Sequence, residues 1–401
     1  MRLNGWWLIG ILIVGLWVEM MGGERISRIS PEHAGMDPQR LAMIEPAIMK
    51  AIREGELPGA VVVVGRDQAI VYQKAFGRRN IYQGADEKMT LETIFDMASV
   101  SKSVSTASAV WKLVEDGKLR LWDRVRNYIP EFTGYQDSSS HEEFAPQIIH
   151  LLTHSSGLIP YLNAKSLQER HPVMNLDTLI AEIARSPKRS RPGSEFVYSC
   201  LGYITLGYIV QKVSGQDLNQ FNQDHLFKPL QMAHSGYNPP QQFQAMIAPT
   251  EAIDGHLLRG VVHDPLARLI GGVSGNAGLF STAQDLSVFV MMLLNHGEYR
   301  GTRVFSPMTV QRMTQLYLPL PHLGRTPGWD TGTDYSSPRG DIFGYQSFGH
   351  TGYTGTSLWI DPESKVFVLL LSNRVHPEDK GSLVALRGIL GNIVASSIIK
   401  L

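Results

Sequence analysis

The chain has 401 residues, 43% of them hydrophobic and 18% charged, with 37 basic side chains balancing 37 acidic ones. Such a composition belongs to an ordinary globular protein, one domain with a large insertion or two domains, and without any Lys/Arg run nothing in the charge pattern points to a nucleic acid or a strongly anionic partner. Cys200 is the only cysteine, which excludes an internal disulfide and a cysteine-based zinc cluster.

Arg2 precedes an apolar run from Trp6 to Val18, which Glu19 and the pair Gly22-Gly23 interrupt. Thirteen helical residues cover about 20 Å against a hydrocarbon core of roughly 30 Å, which suits an export signal; extension to Met21 would suit an uncleaved anchor. Residues 1–23 are therefore read as a signal peptide or membrane anchor, and the protein as exported, periplasmic or otherwise extracytoplasmic. Asp37-Pro38 reads as a cap and first turn, followed by Leu41, Ile44, Ile48 and Ile52 at helical spacing, with Pro46 expected to kink or split the helix. Gly59 to Val64 and Ala69 to Gly77 read as two strands joined by Arg66-Asp67-Gln68.

Ser99-Val100-Ser101-Lys102 comes next, at the start of an apolar-rich segment that stops at Gly117. Three residues apart on a helix, a hydroxyl and an amine share one face and can share a proton, as an activated serine nucleophile needs. The helix N-terminus also favours developing negative charge. The spacing alone is weak evidence, since Ser397-Ile398-Ile399-Lys400 repeats it by accident in the last turn.

Leu176 to Ala184, Ser199 to Val213, Leu218 to Phe227 and Asp285 to Asn295 read as further helices, whereas Leu318 to Asp341, crowded with Pro, Gly, Ser and Asp, reads as a long surface loop. His350-Thr351-Gly352 then leads into strands at Thr356 to Ile360 and Val366 to Ser372, and a last helix covers about Gly381 to Ile399. Strands at both chain ends with helices between them predict an α/β (α+β) fold, one sheet with a helical insertion and a cleft where they meet. The sheet domain is assigned to residues 30–98 and 272–401, and the helical one to 99–271.

With Ser99-Lys102 and His350-Thr351-Gly352 on that layout, the chain resembles the serine β-lactamase and penicillin-binding-protein-like superfamily in its class C branch, from about residue 30 onward. Leu151-Leu152-Thr153-His154-Ser155-Ser156-Gly157-Leu158 and Ala277-Gly278-Leu279-Phe280-Ser281-Thr282 support the likeness. Within it, Val262-His263-Asp264, Gly271-Gly272-Val273-Ser274-Gly275 and Ser372-Asn373-Arg374 are similar to the D-Ala-D-Ala carboxypeptidase-like group called penicillin-binding protein 4B. The resemblance implies the β-lactamase/transpeptidase-like antiparallel sheet flanked by helices, an acyl-enzyme on Ser99, and no cofactor.

The family's second catalytic motif is Y-x-N. Tyr161-Leu162-Asn163 matches it literally but lies in a loop after Pro160, whereas Tyr198-Ser199-Cys200 follows a Pro-Gly turn and opens a helix, so Tyr198 is assigned the proton shuttle. A phenol beside the Lys102 ammonium is expected to have its anionic form stabilised. Cys200 replaces the amide that would hold Lys102 and the substrate, which argues against β-lactam turnover. His350 replaces the lysine of K-T-G; with an ordinary pKa near 6.5 it is mostly neutral at pH 7, so weaker anchoring of a substrate carboxylate and a tilt toward esters or amides are expected, with carboxylate preference strengthening as pH falls toward 6. By the same resemblance, Thr351, Gly352 and Tyr353 border the substrate, and the backbone N–H groups of Ser99 and Tyr353 form the oxyanion hole.

His263-Asp264 is no metal pair, because adjacent residues do not easily face one ion and no third ligand is spaced for it. Asn276 reads as a loop residue near the cleft. The resulting expectation is a serine hydrolase acting on a D-amino-acid peptide of the cell-wall type. A small-ester carboxylesterase, a β-lactamase and a non-catalytic peptidoglycan or partner binder remain as alternatives.

Overall fold

The computed structural model describes residues 26–401; the apolar segment at Trp6 to Val18 lies outside the described residues. Asp37 caps a short helix, α1 (Pro38–Leu41), by accepting from the N–H groups of Gln39 and Arg40. The chain breaks at Ala42-Met43 and restarts as α2 (Ile44–Arg53). Pro46 is thus not the break. It lies in the first turn of α2, where its missing N–H leaves no bond unmade.

Strands β1 (Gly59–Arg66) and β2 (Ala69–Asn80) form the predicted hairpin, and β3 (Glu87–Lys88) adds an edge. After β4 (Phe95–Asp96), Ser99 lies in a turn, Lys102–Ala107 is wound as a π-helix, and α3 (Ser108–Glu115) completes the rod before Gly117 ends it with φ of 70°. The insertion contributes α4 (Ile148–Leu152), α5 (Leu176–Arg185), α6 (Cys200–Ser214), α7 (Leu218–Asn222) and β5 (Gly236–Tyr237). The chain returns through β6 (Leu279–Ser281) and α8 (Ala283–Leu294) to β7 (Phe348–Thr351), β8 (Ser357–Asp361), β9 (Val366–Ser372) and α9 (Val384–Ser396).

The main sheet is antiparallel with order β7-β8-β9-β1-β2-β3, so the last strand pairs with the first, Val62 opposite Leu370. Its middle strands are apolar on both faces. Ala60, Val62 and Val64 pack with Leu370 against Ile44 and Ile48 of α2 and Leu390 and Val394 of α9. Val61, Val63, Leu369 and Leu371 join the larger core, which continues through α8 into Val104, Val110, Leu151 and Leu201. One apolar core therefore runs across the boundary between sheet and insertion. A second small sheet, β4-β6-β5, ties the strand before Ser99 to both halves.

Residues Leu318 to Asp341 depart from the expected surface loop. Arg325, Thr326, Trp329 and Asp330 are buried, because the rod that begins at Ser99 is rich in hydroxyls and reaches across to them. Ser103 Oγ donates to the Gly328 carbonyl at 2.6 Å and Trp111 Nε1 to that of Pro327 at 2.9 Å. The segment has no regular period because its backbone is held by side chains of another element.

Candidate active site

A cleft of about 350 Å³ opens between the sheet edge and the insertion, lined by Ser99, Tyr198, His350, Thr351, Gly352 and Tyr353 among others. Lys102 lies beneath Ser99, fully buried, and Cys200 is half-buried at the start of α6 without forming the cleft wall. The expected residues are thus brought together, with Cys200 set back.

Several constraints fix the turn that carries Ser99. Ala98 adopts φ of 45°, an uncommon conformation for a residue with a Cβ. Its N–H donates to Asp96 Oδ1 at 2.8 Å, and Asp96 Oδ2 accepts the His263 N–H at 2.7 Å. From the other side, Thr354 Oγ1 donates to the Asp96 carbonyl and Thr356 Oγ1 to that of Met97, at 2.8 and 3.0 Å. Gly352 allows this approach, since a Cβ there would stand 2.5 Å from the Met97 carbonyl and 2.1 Å from Thr356 Oγ1.

Lys102 Nζ donates to Ser99 Oγ at 2.9 Å and to the backbone carbonyl of Asn276 at 2.9 Å. It also lies 5.2 Å from the ring centroid of Tyr198, whose hydroxyl is in hydrogen-bonding reach of both Ser99 and Lys102. Burial works against the Lys102 charge, but Cys200 and Tyr198 beside it outweigh burial and raise its pKa. Burial also raises the Tyr198 pKa, and the Lys102 cation only partly offsets it. This corrects the expected phenolate, because a half-buried phenol beside one ammonium stays protonated at rest.

His154, at φ of 54°, supports this phenol from below. Its Nδ1 accepts the Ser199 N–H at 3.1 Å, and its ring lies 4.4 Å from that of Tyr198 and 4.9 Å from that of Tyr203. From the cleft side, Tyr335 stacks on Tyr198 at 5.1 Å. Tyr161 stands apart from all of this. Its hydroxyl donates to Asp264 Oδ2 and accepts from the Leu266 N–H, both at 3.1 Å.

His350 behaves differently from the sequence expectation. It is buried, and burial, reinforced by the cations of Arg325 and Lys102, holds its pKa well below the usual histidine value. Nδ1 meets the Thr351 carbonyl at 2.8 Å, which requires the proton on Nδ1 and leaves Nε2 an unpartnered acceptor. The imidazole therefore remains neutral at pH 6, contrary to the charge gain expected there.

Sequence reasoning missed three participants. The Asn276 carbonyl holds Lys102 but is a backbone atom without a residue signature. Tyr335 and Arg325 lie in the aperiodic segment. Arg325 borders the same cleft at 1% exposure, with Nη1 3.5 Å from Asp330 Oδ2, while its Nε and Nη2 have no hydrogen-bond partner. Among the described residues, no cluster of three or more His, Cys, Asp or Glu is placed to hold a metal ion.

A hydroxyl and an amine in contact, with a phenol beside them, can pass a proton from the hydroxyl as it attacks a carbonyl. Ser99 and Tyr353 both line the cleft, and their backbone N–H groups have no partner among the described residues.

Comparison with known proteins agrees with this chemistry. The family model described as Beta-lactamase matches residues 41–390. An Escherichia coli K12 protein named "Putative D-alanyl-D-alanine carboxypeptidase" is 32% identical over 381 residues, covering 88% of this chain and 86% of that protein. A Bacillus subtilis 168 protein named "N-acetylmuramyl-L-alanine amidase" is 32% identical over 373 residues, covering 87% and 84%. Among solved structures, EstCE1, a hydrolase with promiscuous acyltransferase activity, superposes with a TM-score of 0.70 at 23% identity, covering 89% of this chain and 99% of that one. The chain belongs to the Beta-lactamase family, as a serine hydrolase with the β-lactamase/transpeptidase fold.

Proposed function

We propose that this protein is a carboxypeptidase that acylates Ser99 with a peptide ending in a D-amino acid and releases the terminal residue. Lys102 and Tyr198 exchange the Ser99 proton, and the N–H groups of Ser99 and Tyr353 receive the oxyanion. The observation that carries the substrate class is Arg325. A neutral His350 cannot anchor a carboxylate by charge, whereas the buried Arg325 guanidinium borders the cleft with its Nε and Nη2 lacking a hydrogen-bond partner. A buried cation left half-satisfied is costly, and a substrate carboxylate would complete it with a charge-assisted pair. A terminal D-alanine presents a carboxylate next to the scissile amide. The muramyl-L-alanine amide bond of a stem peptide does not, so Arg325 favours the carboxypeptidase over the amidase. A cell-wall substrate also agrees with export through the segment at Trp6 to Val18, as a signal peptide or anchor reaching the periplasm or another extracytoplasmic space.

The test compares a peptide ending in D-Ala-D-Ala with its C-terminal amide, a neutral aryl ester and a muramyl-L-alanine peptide, in wild type, Ser99→Ala and Arg325→Gln. The free acid should be preferred over the amide by ten-fold or more in wild type, and Arg325→Gln should erase that preference while retaining ester turnover. Equal turnover of acid and amide would remove the carboxypeptidase reading in favour of an esterase. No mass adduct on Ser99 with any acyl donor would leave a binding protein.

A further inference from the structure

We infer that Arg387 is a positioning residue for the oxyanion hole, strengthening the Tyr353 N–H as a donor by polarising the peptide group to which it belongs. The inference rests on the acyl-transfer reading above and adds a residue to it.

Arg387 is on the first turn of α9, 9% exposed, and its Nη2 donates to the Gly352 carbonyl at 2.9 Å and to the Thr356 carbonyl at 2.9 Å. The Gly352 carbonyl and the Tyr353 N–H are two ends of one amide. A guanidinium on the oxygen draws electron density through the conjugated plane and makes the N–H at the other end a stronger donor, the cooperativity of chained hydrogen bonds. That N–H has no partner among the described residues, and Tyr353 lines the cleft together with Ser99. Arg374 grips the next carbonyl, with Nη2 donating to Tyr353 O at 2.8 Å, so two guanidinium groups stand behind the segment into which the oxyanion develops.

The location is an expensive one for a cation. Burial and the neighbouring Arg374 push the Arg387 pKa down to about 10, so the group is still charged at neutral pH. A helix first turn disfavours positive charge, and among the described residues Arg387 makes no ion pair with a carboxylate. A neutral donor would tie α9 to the turn equally well. What a cation adds over a neutral donor is a stronger polarisation of the Gly352–Tyr353 amide, at the point where Ser99 Oγ bonds to the substrate carbon and the carbonyl electron pair moves onto oxygen. The Lys102/Tyr198 pair, having first shed a proton, takes that of Ser99, and collapse of the oxyanion expels the leaving group with that proton.

The experiment acylates wild type, Arg387→Gln, Arg387→Lys and Asn392→Ala with a p-nitrophenyl ester carrying a 13C carbonyl, and records both the single-turnover acylation rate and the isotope-edited infrared band of the ester on Ser99. Asn392 ties the same helix to Asp341 away from the cleft and serves as the purely structural control. Arg387→Gln should slow acylation by about 10- to 100-fold, less than removal of an oxyanion donor outright, with KM little changed. Its acyl carbonyl band should move toward the higher frequency of a free ester, while Arg387→Lys retains part of the rate and of the band shift. Asn392→Ala should leave the band in place. If Arg387→Gln does not fold, the partial shift in Arg387→Lys carries the test. An acyl band at the wild-type position in the folded Arg387 variants, whatever their rate, overturns the positioning role while leaving Ser99 acylation intact. Absence of a Ser99 ester in wild type overturns both readings.

Discussion

Tyr198 and Tyr161 are the two candidates for the tyrosine of one motif, and their chemical settings are opposite. Tyr198 meets Ser99 and Lys102, whereas both hydrogen-bonding directions of the Tyr161 hydroxyl are used by Asp264 and Leu266. Tyr198→Phe should lower the acylation rate by about 10²–10⁴-fold, and Tyr161→Phe should leave it within a few-fold while costing about 1 kcal/mol of stability. Single-turnover rates and denaturant melts separate the two, and the reverse ranking would remove Tyr198 as the shuttle. Both Lys102 and Tyr198 have raised pKa values, so at neutral pH the pair holds all its protons and must shed one before accepting that of Ser99. The acylation rate should therefore climb between pH 7 and 9, and a falling profile would contradict a protonated resting pair. The setting after Pro192-Gly193 at a helix start led the sequence reading to Tyr198, which lies beside Lys102 in the structure. Its protonation state was not legible, because it depends on burial and on the Lys102 cation brought in from a distant segment. His350 failed as a pH sensor for the same reason, since a lone histidine in a sequence carries its ordinary pKa until its neighbours are known.

Strand β7 and the turn after it act as one unit with the Ser99 turn. Thr354 and Thr356 clamp the carbonyls of Asp96 and Met97, and Gly352 fits between them without a Cβ. Gly352→Ala should push this turn from Met97 and lower acylation by at least ten-fold, with a smaller change in melting temperature. A fully active Gly352→Ala variant would show that the close contact does not set the geometry of the site. The hairpin β1-β2 and strands β8 and β9 were readable as apolar runs between turn residues, because a sheet covered on both faces requires such runs. The buried stretch at Arg325 to Asp330 was not, since its order comes from Ser103 and Trp111 on the nucleophile rod rather than from its own period. Hydrogen bonds separated by 225 and 216 residues leave no local pattern.

The cleft lies on the seam between sheet and insertion, so its integrity depends on what joins the two. Besides the shared apolar core, Glu87 on edge strand β3 bonds Arg79 of β2 at 3.0 Å, Asn80 at 2.7 Å and Arg259 of the insertion at 2.7 Å. Burial alone would raise the pKa of this carboxyl, but the donors from Arg259, Asn80 and Arg79 override it and bring it to about 2. A carboxyl with a depressed folded-state pKa contributes stability above its unfolded value, and the contribution disappears as pH falls through the folded one. The Glu87 link should accordingly be complete at neutral pH, weaken from about pH 4.5 and be gone near pH 2. Partial exposure screens the ion pairs, so Glu87→Gln should cost roughly 1–2 kcal/mol at pH 7 rather than the full value of the shift. Urea melts of wild type and Glu87→Gln across pH 2 to 7 should show two stability curves that converge as the pH falls. Curves that stay parallel to pH 2 would mean that Glu87 joins the halves by packing and not by charge.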